Sequence, residues 1–163
     1  MQHESVEHDH TAEGPTFPNG CHVAEVEIDP ETGTARLVRY VVVDDFGTLV
    51  NPLLVEGQVQ GGVVQGAGQV MLEDVVYDGE GQLLTGSYMD YAMPRAADMP
   101  LIEFDSHPVP ATTNPLGAKG IGELGMCGGA AAIGNAVYNA CGARLFDYPM
   151  TPDRVLAAMP EGP

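Results

Sequence analysis

The segment Ala118-Lys119-Gly120-Ile121-Gly122-Glu123-Leu124-Gly125 holds the residues best placed for chemistry. Glu123 is flanked by Ile121 and Leu124 and lies between Gly122 and Gly125, where backbone can be pressed against a ligand. Partial desolvation there would raise its pKa and suit a general base; the competing reading is an exposed loop glutamate. Lys119 could contact an anionic ligand or be an ordinary solvated cation. Gln58, Gln65 and Gln69 recur along a glycine-rich stretch read as a buried helix. Buried amides need hydrogen-bond partners, either neighbouring backbone or the edge of a heterocyclic ligand.

Other chemistries fit less well. Gly120 to Gly125 matches GxGxxG and has Asp147 about 20 residues on, as a dinucleotide site would. That fingerprint needs a strand directly before its first glycine, and Ala111-Thr112-Thr113-Asn114-Pro115-Leu116 does not read as one. Glu123 would also put a carboxylate among amides meant for a pyrophosphate. Cys21, Cys127 and Cys141 have neither zinc nor iron–sulfur spacing, so no metal ligand is assigned. There is no nucleophile elbow and no Walker loop. His3, His8 and His10 lie in a polar N-terminal stretch without ligand spacing.

Charge narrows the partners. The 163 residues carry 6 basic and 23 acidic side chains, a net charge of −17. That field repels nucleic acid and anionic lipid alike. No apolar run is long enough to span a membrane. The first residues lack the basic and apolar regions of a signal peptide. An odd cysteine count without paired spacing fits reduced thiols in a cytoplasmic setting.

The elements that must position Glu123 can be read from pattern. Residues 1–20 are expected to be a disordered tail, and 21–163 one domain. Cys21–Ile28 and Ala35–Phe46, joined by Asp29-Pro30-Glu31-Thr32-Gly33, read as an antiparallel hairpin. Asn51-Pro52 opens a helix whose stretch Val55–Leu72 contains Gly57, Gly61, Gly62, Gly66 and Gly68. Each interior glycine costs up to ~1 kcal/mol against alanine, so close packing is expected to compensate. Glu73–Tyr77 and Gln82–Ser87 read as a second hairpin, and Leu101–His107 as a strand. A helix is expected over Gly128–Cys141, and another over Pro152–Met159 with Thr151 as N-cap. The predicted class is α+β: antiparallel hairpins with a buried glycine-rich helix and C-terminal helices.

Four ordered blocks carry a resemblance. They are Phe46-Gly47-Thr48-Leu49-Val50-Asn51-Pro52, Glu56 to Gly68, Met89-Asp90-Tyr91-Ala92-Met93-Pro94, and Ala118 to Glu123. Together they resemble the C-terminal part of the molybdenum-binding large subunit of molybdenum hydroxylases, the xanthine dehydrogenase, aldehyde oxidase and aerobic carbon monoxide dehydrogenase family. The resemblance runs from about Pro18 to Met159. It implies a molybdenum–pterin cofactor and hydroxylation of a substrate carbon with oxygen from water. Glu123 would be the base beside molybdenum. Gln58, Lys119, Gly120 and Gly122 would lie against the cofactor.

The family's large subunits are several times longer than this chain, and the missing part carries most pterin contacts. The resemblance therefore implies a partial site, with the isolated chain neither holding cofactor nor turning over. The alternative is a non-catalytic assembly domain docking on a companion chain. Implied partners are the rest of the large subunit and iron–sulfur and FAD subunits. A homo-oligomer is expected to cover the exposed apolar surface of the isolated chain.

Overall fold

The computed structural model describes residues 5–160. His3, the first residues of the expected tail and the last three residues of the expected domain lie outside that range. Three strands and three α-helices follow in the order β1 (Asn19–Ile28), β2 (Ala35–Asp45), α1 (Pro52–Met71), β3 (Ile102–Ser106), α2 (Leu124–Cys141) and α3 (Pro152–Ala158). A single 3₁₀ turn, Ala96–Asp98, precedes β3. The fold is α+β: one three-stranded sheet with α1 and α2 on one face.

β1 and β2 form the expected antiparallel hairpin, with a register shift between Glu25 and Val26. The turn is closed by the Asp29 carboxylate, which accepts from Glu31 N–H at 2.9 Å, and by Gly33 N–H donating to Asp29 O at 2.8 Å. β3 departs from the hairpin-only expectation. It pairs parallel to β2, in the order β1-β2-β3. The chain leaves β2, crosses the sheet through α1 and returns in the same direction, a connection that strand pattern alone does not reveal.

The second expected hairpin is reduced to one bridge, Tyr77 to Leu83. Its turn forms as read: Asp78 Oδ1 accepts from the N–H groups of Glu80 and Gln82, each at 2.9 Å. Val75, Val76, Tyr77, Leu83 and Leu84 are nevertheless all exposed. A lone two-stranded ribbon with nothing packed on its apolar face has little to hold it.

Asn51 caps α1, its Oδ1 accepting from Leu54 N–H, and Pro52 is the first helical residue. The helix is buried on one face, not all round. Val55, Val59, Val63, Ala67 and Val70 pack with Tyr40, Val42 and Phe46 of β2 and Ile133 of α2. Gln58, Gln65 and Gln69 are exposed, so their amides need no buried partner. α2 begins at Leu124, earlier than the expected Gly128. Thr151 does occupy the α3 N-cap, but its hydroxyl makes no capping bond.

The glycines divide by surroundings. A Cβ on Gly62 would stand 3.1 Å from Gly125 Cα, and one on Gly66 would stand 2.7 Å from Met126 O. Gly129 likewise faces Val63 O and Gly66 Cα, at 3.4 and 3.5 Å. Gly62 meets Gly125 and Gly66 meets Gly129, so α1 and α2 run parallel and nearly touch backbone to backbone. At Gly57, Gly61, Gly120 and Gly122 an added Cβ would meet nothing within 4 Å.

Candidate functional site

Glu123 is not in mid-loop. It is the N-cap of α2, exposed, with no side-chain capping bond. The chain itself therefore does not supply the partial desolvation expected of a base. Gln58 lies one turn before Gly62 on the α1 ridge that meets α2, and Glu123 lies two residues before Gly125. The Gly62–Gly125 contact thus brings Gln58 and Glu123 to the same end of the helix pair, both facing out.

The approach to Glu123 is rigidly built. Asn114 clasps Ala118, donating from Nδ2 to its carbonyl at 2.9 Å and accepting its N–H at 3.2 Å. Gly117, at φ +67°, turns the chain back, and its carbonyl accepts from Thr48 N–H at 2.9 Å and Ala111 N–H at 3.0 Å. Gly47, at φ +63°, makes the opposing turn, bridging to Ala118. Lys119 N–H donates to Phe46 O at 2.9 Å. The stretch just before Gly120 is thereby tied to the end of β2.

Lys119 is not an ordinary solvated cation. Its ammonium meets Asp45 Oδ2 at 2.5 Å, with only 11% and 8% of the two side chains exposed. Asp45 Oδ1 also accepts from Gly47 N–H at 2.8 Å and Val109 N–H at 2.9 Å. Burial pushes the Asp45 carboxyl up. Lys119 and the two N–H donors outweigh it and hold the group at about 2. Asp45 was missed in the sequence because its partner is 74 residues away.

A second polar group was missed as well. Asp44 is fully buried, and His22 Nε2 stands 3.3 Å from its Oδ1. The other ring nitrogen of His22 lies 2.9 Å from Tyr40 Oη. Burial, and then the Asp44 charge, push the Tyr40 phenol up. The His22 ring also packs under Gly128, where an added Cβ would stand 2.5 Å from Nδ1. This cluster seats the first turns of α2, behind Glu123, on the sheet. Its only sequence sign was a charged pair closing an apolar strand.

Two surfaces flank this end. Phe46, Leu49, Val50, Leu54, Val55, Ala118 and Ile121 line an apolar hollow of about 210 Å³ beside the α1 N-terminus. Val50, Leu53, Leu54 and Leu116 are all strongly exposed. Gly57 and Gly61 line a groove between α1 and Met99-Pro100-Leu101. Among the described residues, no three His, Cys, Asp or Glu side chains are grouped to hold a metal ion. Among the described residues, no helix is long and apolar enough to cross a membrane.

A family model for the molybdopterin cofactor-binding domain matches residues 2–100. The chain belongs to that family. The molybdopterin-binding domain is 40% identical over 147 residues to the nicotine 6-hydroxylase large subunit of Paenarthrobacter nicotinovorans, covering 88% of this chain and 18% of that protein. It is 38% identical over 125 residues to the carbon monoxide dehydrogenase large chain of Afipia carboxidovorans, covering 77% of this chain and 16% of that one. Among solved structures it superimposes on quinoline 2-oxidoreductase from Pseudomonas putida 86 with a TM-score of 0.83 and 40% identity. That match covers 90% of this chain and 19% of the other. The expected kinship with molybdenum hydroxylase large subunits is confirmed. The molybdopterin-binding domain spans about a fifth of the length of these relatives.

Proposed function

We infer that this chain forms one wall of a molybdenum-dependent hydroxylase site, with Glu123 as its proton-moving residue. The observation that carries this reading is the bare backbone just before Glu123. Gly120 and Gly122 have ordinary φ angles and open space where a Cβ would go, so nothing within the chain demands glycine there. Gly57 and Gly61 are equally unexplained, and in a helix they carry a cost of up to ~1 kcal/mol each. Glycine kept at such positions leaves room for something outside the chain to approach the main chain. A flat pterin cofactor, or the other half of its cradle, fits that description.

When bound, the molybdenum–pterin group would supply the redox chemistry by which a substrate carbon is hydroxylated with oxygen from water. This chain's residues would do the rest on their side of the site. The Gly120 and Gly122 backbone would lie against the cofactor, and the Gln58 amide would donate or accept hydrogen bonds at its edge. The Glu123 carboxylate would take up the proton released at the reacting oxygen. Covering it with the cofactor and the remaining wall would provide the desolvation this chain lacks. The Lys119 ammonium serves the base indirectly, fixing the approach to Glu123 through Asp45.

The remaining wall would come from the rest of a large subunit, with iron–sulfur and FAD subunits carrying electrons away. The apolar hollow at the α1 N-terminus and exposed Leu53, Leu54 and Leu116 suit such docking, and self-association in its absence. The isolated chain would hold no cofactor, in a cytoplasmic setting with its three thiols free. A purely structural assembly domain is the alternative.

A chimera separates the two readings. The matching segment of the nicotine 6-hydroxylase large subunit is replaced by this chain and co-produced with that enzyme's partners. Molybdenum and pterin content and nicotine turnover are then measured. The expected result is cofactor retention with turnover, and Glu123→Gln keeps the metal while lowering kcat by about a thousandfold or more. A folded chimera that holds cofactor but is indifferent to Glu123→Gln leaves only the assembly role. A folded chimera without molybdenum overturns the reading.

A further inference from the structure

The chain has six cations. Lys119 is held by Asp45, and Arg39 by Glu103 at 2.7 Å. Arg144 and Arg154, like Arg36 and Arg95, stand outside these pairs. Among the described residues neither has a carboxylate within ion-pairing distance, although the sequence carries 23 acids. Yet both line one pocket of about 320 Å³, between the segment Arg144–Asp147 and the α3 face bearing Ala157 and Ala158.

Each guanidinium is held in place while keeping donors free. Arg144 lies over the Tyr138 ring, 3.9 Å from its centroid, which fixes its plane and leaves its N–H edge open. Arg154 is half-buried and donates from Nη1 to Pro149 O at 3.0 Å, using one of five N–H groups. The support is firm. Val155, fully buried, packs with Val137 and Met150, and Met150 N–H donates to Val70 O at 2.7 Å. The rim carries Phe146, 83% exposed, beside half-buried Leu145. Asp147 is the lining's one carboxylate against two cations.

Two guanidinium groups in no direct ion pair, sharing a lining with a single carboxylate and an exposed aromatic ring, are suited to an oxyanion carried on a flat apolar body. We propose that this pocket binds a small organic anion, a carboxylate or phosphate group on a single-ring body. It does so independently of the Glu123 site. The two lie at opposite ends of α2, whose 18 residues span about 27 Å.

The test is an NMR titration of the 163-residue chain with benzoate, phenyl phosphate and uncharged benzamide. Saturable shifts confined to Leu145–Asp147 and α3 are expected with benzoate or phenyl phosphate, and binding of benzamide about tenfold weaker or more. Tighter binding of one anion identifies the group as carboxylate or phosphate. Arg144→Gln, an exposed position, and Arg154→Lys should each weaken binding by about fivefold or more, with the rest of the spectrum unchanged. No saturable binding, equal binding of benzamide, or indifference to both variants overturns the proposal.

Discussion

Gly62 of α1 and Gly125 of α2 meet with no side chain between them. A Cβ on Gly125 would stand 2.9 Å from Val59 O and 3.2 Å from Gly62 Cα. This contact sets the height of α2 against α1, and so puts Glu123 level with Gln58.

Gly125→Ala should therefore destabilise the chain by about 1–3 kcal/mol, because backbone cannot yield as a flexible side chain can. Gly61→Ala, one position from Gly62 but facing open space, should stabilise it by about 0.5–1 kcal/mol. Urea unfolding of both variants decides the matter. Equal effects would mean that helix packing does not separate these two glycines.

Asp45 predicts an acid-sensitive term. Its folded carboxyl stands at about 2, below the ~3.9 of an unfolded aspartate. Between those values the unfolded chain binds the proton more readily, so stability rises with pH there. The contribution is complete above about pH 4–5 and is lost as pH falls toward 2. Asp45→Asn should flatten that part of the stability profile. Lys119→Met, measured at neutral pH, should cost about 3 kcal/mol by leaving a buried carboxylate without its cation.

The cluster behind α2 should show strong coupling. His22→Phe removes the ring nitrogen 3.3 Å from the buried Asp44 side chain and should cost about 3 kcal/mol. Tyr40→Phe removes a single hydrogen bond, worth about 1 kcal/mol. Adding Asp44→Leu to His22→Phe should cost less than the two single changes summed. Additive costs in a denaturation cycle would show that the two side chains do not interact.

Glu123→Gln should leave the isolated chain's stability within about 0.5 kcal/mol of the parent, since the carboxylate is exposed and caps nothing. Unchanged thermal unfolding with lost turnover in the chimera is the signature of a residue placed for chemistry. A large loss of stability would mean that Glu123 holds the fold instead.

What could be read without coordinates was local. The β1–β2 hairpin follows from valine-rich runs about Asp29–Gly33, and the start of α1 from Asn51-Pro52. Both depend on contacts a few residues apart, which neighbouring residue types report directly. The four family blocks likewise marked Gln58, Lys119, Gly120, Gly122 and Glu123 as the residues expected at the cofactor, because each block is a short contiguous motif.

Tertiary structure decided the rest. The parallel placement of β3 needs the whole crossover through α1. The Lys119–Asp45 pair joins residues 74 apart and clamps the chain leading to Glu123. The amides of Gln58, Gln65 and Gln69 proved exposed, because α1 buries only the face set by its own crossing with α2. Composition counts glycines, but only the neighbours of each missing Cβ separate those that let two helices touch from those that leave the backbone open. That difference lies in distances between segments remote in sequence, which no local pattern encodes.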